Sequence, residues 1–242
     1  MTQSTEDRAA LIAKLFAKAE AAGASESERD AYNEKATALM IKWGIEDAML
    51  PRPTDRPAEK IIRKVLVFNV PKSYAHEYVV VGISAVEHLN CKGLVSRANG
   101  APALLVVGYE SDIANAERLL ASLTIQCTLA LGTWYADNVR PWMNGTDKYN
   151  IKRGFIAGFA NGIGDKMAAW KKTAVADAAP GAELVLVDRR IQVDNWVDEN
   201  MSIGKARGRS YRAGAAGAGW RAGQNANLGG TSINGGRKEI GR

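Results

Sequence analysis

Three prolines fall within seven residues, Pro51-Arg52-Pro53-Thr54-Asp55-Arg56-Pro57. Each fixes φ and removes a backbone donor, so no helix or central strand passes through this segment and the chain runs extended. It marks a linker at 51–60 and divides the sequence in two. Ahead of it, Leu11, Ile12, Leu15, Phe16 and Ala19 recur at helical spacing, as do Tyr32, Ala36, Leu39, Met40 and Trp43. Gly23 breaks the first helix, and Ser25 with Glu28 has the spacing of a capping box for the second. Gly44 suits the left-handed position that ends it. So short a connection makes the helices antiparallel neighbours, a helical hairpin over 1–50.

Beyond the linker, the β-branched run from Ile61 to Val70 predicts a strand and Ser73 to Asn90 a helix. Gly93–Arg97 and Ala103–Tyr109 read as two strands joined by Asn99-Gly100, a pair that accepts positive φ in a tight hairpin. Ser111 is expected to cap a helix reaching about Asn138, stopped by Pro141. A second long helix, about Tyr149 to Lys172, carries Ile151, Phe155, Phe159, Ile163, Met167 and Trp170 in one stripe. A last strand at Glu183–Val187 and a short helix to about Met201 close the body. The expected fold is α+β: the hairpin, a βαββα(α)β split-βαβ-like sandwich over 61–200, and a basic Gly/Ala-rich tail over 201–242.

Gly154, Gly158 and Gly162 stand four apart within the aromatic-stripe helix, where each costs about 1 kcal/mol relative to alanine. A ridge without side chains compensates for that if another helix packs closely on it, or if a ligand approaches the backbone. Small residues also recur at three- and four-residue spacing from Tyr211 to Leu228. Two arrangements fit them: a helix docked on the body with Ala215 and Ala218 inward, or a mobile arm whose arginines bind phosphate.

Charge is unevenly placed. Met201–Arg242 holds Lys205, Arg207, Arg209, Arg212, Arg221, Arg237, Lys238 and Arg242 against the single acid Glu239, so the tail alone carries +7 in a chain of net charge +6. An anionic partner meets this segment first, and these eight residues are the expected nucleic-acid contacts. Tyr211 and Trp220 among them add two rings able to stack on bases. With 46% hydrophobic and 24% charged residues, the chain has ordinary globular composition.

The first residues lack the basic and apolar regions of a secretory signal, so the expected location is the cytoplasm. Leu119–Ala136 is uncharged, but its Ser, Thr, Gln and Gly content fits a buried helix of a soluble protein, with no membrane partner expected. Cys91 and Cys127 lack zinc-ligand spacing and read as buried free thiols.

Catalytic motifs are missing. His76-Glu77-Tyr78-Val79-Val80 begins like a zinc-protease helix, yet Val80 stands where the second histidine belongs. His76 and His88 lie about 120° apart around a helix and do not share a face. Gly217-Ala218-Gly219-Trp220-Arg221-Ala222 has dinucleotide-fingerprint spacing without the strand that motif requires. Gly162-Ile163-Gly164-Asp165-Lys166 lacks the spacing and hydroxyl of a P-loop, and no GxSxG elbow occurs. Asp112, Glu117, Asp137, Asp165 and Asp194 supply carboxylates with no spacing that selects a pair. No catalytic residue, metal ligand or cofactor is assigned, and the chain reads more as a binding protein than as an enzyme.

The hairpin resembles that of a family of uncharacterised bacterial and bacteriophage proteins which open with two short helices. Leu15, Ala17-Lys18-Ala19, Glu28, Ala31, Lys35-Ala36, Leu39-Met40 and Gly44-Ile45 carry the likeness. It continues weakly through Gly108-Tyr109-Glu110-Ser111-Asp112-Ile113, Ala116-Glu117 and the Gly/Arg-rich end. The resemblance implies a phage or phage-derived origin, with the host cytoplasm as location, and brings no activity. The function expected is that of a phage-type accessory protein binding nucleic acid non-specifically through its tail. The alternative is a non-enzymatic interaction or assembly module with a protein partner or a second copy.

Overall fold

The computed structural model describes residues 5–21, 59–176, 182–204 and 213–227, and seven single positions between 25 and 39. The described residues up to Leu39 belong to one compact unit and those from Glu59 to Ala226 to a second.

In the first unit, α1 (Thr5–Glu20) buries Ile12, Leu15 and Ala19, the spacing of one helical face. Glu28, Ala31, Tyr32, Lys35, Ala36 and Leu39 are helical, and Ala36 is fully buried. The capping box is reciprocal: Glu28 N–H donates to Ser25 Oγ at 3.3 Å, and Ser25 N–H to Glu28 Oε2 at 3.0 Å. These bonds to the charged form hold the Glu28 carboxyl below its usual range. The Lys18 ammonium lies 5.3 Å from the Tyr32 ring centre and so ties the two helical segments together. Gly23, Met40, Trp43, Gly44, the Phe16 side chain and the proline segment lie outside the described residues.

The second unit is an α+β layer structure in the order β1 (Ile61–Leu66), α2 (Ala75–Val86), β2 (Lys92–Ala98), β3 (Ala101–Tyr109), α3 (Glu110–Asn138), α4 (Gly145–Ala176), α5 (Ala182–Asn200) and α6 (Ala216–Asn225). The strands form one antiparallel sheet with β3 central, in the order β1-β3-β2. Asn99 and Gly100 both have positive φ, 51° and 74°, so the β2–β3 turn has the backbone twist its flanking strands need.

Strand alternation divides the sheet into two apolar faces. Leu104, Val106 and Gly108 face α2, and the approach is tight: a Cβ on Gly93 would lie 3.1 Å from Ile83 Cα. Val107 and Tyr109, on the other face, pack with Val193 and Val197 of α5, beside Ile61, Leu94 and Trp196.

The strand expected at Glu183–Val187 is therefore a correction: these residues are the opening of α5. A short apolar run such as Leu184–Val187 has no period of its own, whereas Leu186, Val193 and Val197 at helical spacing supply the buried face of a longer helix. The second face of the sheet is covered by that helix, and the sheet has three strands.

Boundaries also differ from expectation, and β1 ends at Leu66 where the strand was expected to reach Val70. α3 begins at Glu110, with no side-chain cap from Tyr109. Ser111 is a recipient of capping, its N–H donating to the distant Glu59 carboxylate at 2.9 Å. α4 starts earlier than the aromatic stripe indicates, because Asn144 accepts from the Asp147 N–H at 2.8 Å and caps it.

Candidate nucleic-acid interface

The glycine ridge of α4 is occupied by α6 of the same chain. A Cβ on Gly158 would lie 2.8 Å from the carbonyl carbon of Ala216, and one on Gly162 would lie 3.0 Å from Gln224 N. Reciprocally, a Cβ on Gly219 would lie 2.8 Å from the carbonyl carbon of Phe155, and one on Gly223 3.0 Å from Ile163 N. In each case a backbone oxygen is closer still, so only hydrogen fits.

Polar contacts fix the register. Gln224 Nε2 donates to Gly162 O at 2.9 Å, Trp220 Nε1 to Asp165 Oδ2 at 2.8 Å and Lys166 Nζ to Ala226 O at 2.7 Å. Residue numbers rise together along both helices, so α6 runs parallel to α4. Of the two arrangements open for 211–228, the docked helix holds over Ala216–Asn225, preceded by a 3₁₀ turn at Ala213–Ala215. Ala215 is buried as expected, while Ala218 is half-buried and gives its inward place to Gly219.

Arg221 sits exposed on the outer side of α6. The other expected contacts, Lys205, Arg207, Arg209, Arg212, Arg237, Lys238 and Arg242, lie outside the described residues.

The carboxylates and histidines do not converge. Asp112 is buried and accepts from Arg189 Nη2 at 2.9 Å, and Arg189 also stacks 3.8 Å from the Tyr109 ring centre and reaches Glu59 at 3.5 Å. Burial pushes the Asp112 carboxyl up to about 6 against the pull of Arg189. This cluster pins α5 to the sheet, and the Tyr109 hydroxyl adds a bond to Gln192. Glu117 pairs with Lys64 at the surface, Asp137 is exposed, and Asp194 pairs with Lys92 at 3.1 Å. His88 is kept below its ordinary pKa by burial and then by Lys171 and Arg190, and burial lowers Lys171 as well. Burial drives Cys91 well up and Cys127 to about 12, so both thiols are protonated at neutral pH. No group of three His, Cys, Asp or Glu among the described residues is placed to hold a metal ion.

Sequence reasoning missed an aromatic and basic end of the helical layer. α2 and α4 run parallel, as Glu77–Arg153 and Asn90–Lys171 contacts show, so the start of α2 lies beside Tyr149 and Arg153 of α4. The rings of Tyr74 and Tyr149 are 5.4 Å apart, and the Arg153 guanidinium lies 5.4 Å from Tyr149. Burial raises the Tyr74 pKa, with Tyr149, Tyr135 and Glu77 adding to it. Lys152 stands 4.4 Å over Tyr135, and Lys148 donates to Pro141 O at 2.6 Å. Trp142, in the turn between α3 and α4, is 81% exposed. The signal was present as alternating rings and cations from Trp134 to Arg153.

The architecture defines an α+β body with a helix-docked C-terminal segment and no assembled catalytic centre among the described residues. Residues 12–47 match the family model described as Protein of unknown function (DUF2786), which agrees with the resemblance read from the hairpin. No curated protein and no solved structure matches the chain.

Proposed function

We propose that this is a phage-type accessory protein of the host cytoplasm that binds nucleic acid non-specifically through its C-terminal segment. The observation that carries this reading is the +7 charge concentrated in Met201–Arg242. Such a segment neutralises phosphates and releases counterions, which gives affinity without sequence readout. The exposure of Arg221 on α6, within that segment, supports it.

Fluorescence anisotropy of labelled duplex DNA at low salt tests the proposal. The full chain is expected to bind unrelated sequences with affinities within a few-fold of each other, and a variant with all eight tail cations changed to Gln is expected to lose binding. Equal binding by that variant refutes it. Deletion from Met201 is not an equivalent test, since it also strips α6 from the glycine ridge.

A second reading, assembly with another copy, is favoured by one observation. α3 exposes Ile125 and Leu129 on an uncharged stretch, and α5 exposes Leu184, Val187 and Ile191 along one outward line. Two copies can bring uncharged α3 faces together without charge conflict. Light scattering decides it: a monomer at all concentrations contradicts this reading, and a dimer lost on Leu129→Glu supports it.

A further inference from the structure

We propose that the aromatic and basic end formed by the α3–α4 turn and the starts of α2 and α4 binds a single, unpaired nucleic-acid strand. The inference rests on the nucleic-acid reading above but concerns a different surface and a different ligand form. Trp142 leaves most of its indole in water, although burying such a ring is worth more than burying almost any other side chain. It stands on a firm base, because Asn144 caps α4 directly behind it and Val139 N–H closes α3 at 3.0 Å on Tyr135 O just before it. A ring left in water at the short turn between two long helices is a stacking platform for a base, and stacking tolerates any sequence.

Cations stand at the same end of the helical layer. Arg140 is exposed two residues from Trp142, Lys148 reaches the same turn and Lys152 lies over the Tyr135 ring, while Arg153 is already paired with the buried Glu77 carboxylate. Rings and cations together follow the pattern of single-strand binding, in which bases stack on aromatics while phosphates track a basic surface. A duplex offers this end only its phosphates, since its bases are already stacked on one another. The tail therefore contributes charge to either form, and Trp142 discriminates in favour of the unpaired one.

The test measures affinities of the full chain for oligo(dT) and for a duplex of equal length, with Trp142→Ala and Trp142→Phe. Because Trp142 is exposed, neither change disturbs the core. Trp142→Ala is expected to weaken oligo(dT) binding about tenfold or more and leave duplex binding within about twofold, with Trp142→Phe recovering most of the loss. Equal loss for both ligands, or none for oligo(dT), overturns the inference while duplex binding through the tail stands. Oligo(dT) binding that survives Gln substitution of the tail cations supports the inference, and the tail proposal falls only if duplex binding survives that substitution as well. Binding of Trp142 to anionic vesicles with no change on adding oligo(dT) identifies a lipid surface and overturns it.

Discussion

Two glycines of α6, only two residues apart, are expected to respond to the same substitution with opposite signs. Alanine at either position raises helix propensity and restricts the unfolded chain, together worth up to about 1 kcal/mol. At Gly217 nothing among the described residues opposes that gain, where the nearest atom to a new Cβ is the Arg221 guanidinium at 3.9 Å. At Gly219 the same Cβ meets the backbone of Phe155, with the carbonyl carbon at 2.8 Å and the oxygen nearer. Backbone in the middle of a long helix does not yield as a side-chain tip does, so α6 must lift. Lifting it also loosens the neighbouring contacts of Gly158, Gly162 and Gly223, because a helix moves as a unit. Overpacking of this kind costs about 1–3 kcal/mol and at a backbone contact sits at the upper end, leaving a net loss of about 2 kcal/mol. In a chain of this size that lowers the melting temperature by about 4–8 °C, whereas Gly217→Ala raises it by up to about 4 °C. Thermal denaturation measures both, and amide exchange within α6 should accelerate only for Gly219→Ala. If both variants shift in the same direction, the glycine contact does not hold α6 and the reasoning fails.

Other expectations follow from single contacts. Arg189→Met should destabilise the fold by about 3 kcal/mol by stranding Asp112 in the interior, and adding Asp112→Asn should restore much of the loss, as urea denaturation would show. His88 has a folded pKa below its unfolded value of 6.5, so the unfolded chain binds more protons and stability falls as pH drops below about 6.5. His88→Gln should flatten that part of the pH–stability curve, and an unchanged slope contradicts the burial of His88. Gly100→Val should cost about 1 kcal/mol or more in a denaturant titration, because a β-branched residue is strained at a φ of 74°.

What was legible in the sequence was chemistry carried by near neighbours. Asn99-Gly100 announced its turn, Ser25 and Glu28 their capping box, and of the two readings open for the Gly154, Gly158 and Gly162 ridge, a packed helix or a ligand, α6 fills the first at Gly158 and Gly162. The Glu183–Val187 run misled because five residues do not define a period, and the decisive buried positions, Val193 and Val197, lie further along. Ser111 looked like a cap because its true partner, Glu59, is 52 residues away. The aromatic and basic end was legible only in part: rings and cations alternate from Trp134 to Arg153, but Tyr149 reaches Ser73 across 76 residues, and only the packing of α2 on α4 brings Tyr74 beside Tyr149. The pairing of Asp112 with Arg189 likewise exists only once α5 crosses the sheet, so neither residue carried a signal alone.

The central claim is phosphate binding by the C-terminal cations, and the dependence of duplex affinity on salt tests it most directly. Each phosphate neutralised contributes about −0.9 to the slope of log K against log salt. The full chain should therefore bind with a steep negative slope, and changing Arg237, Lys238 and Arg242 to Gln should flatten it by about 2–3. Affinity that is independent of salt, or a slope unmoved by those substitutions, would contradict the account.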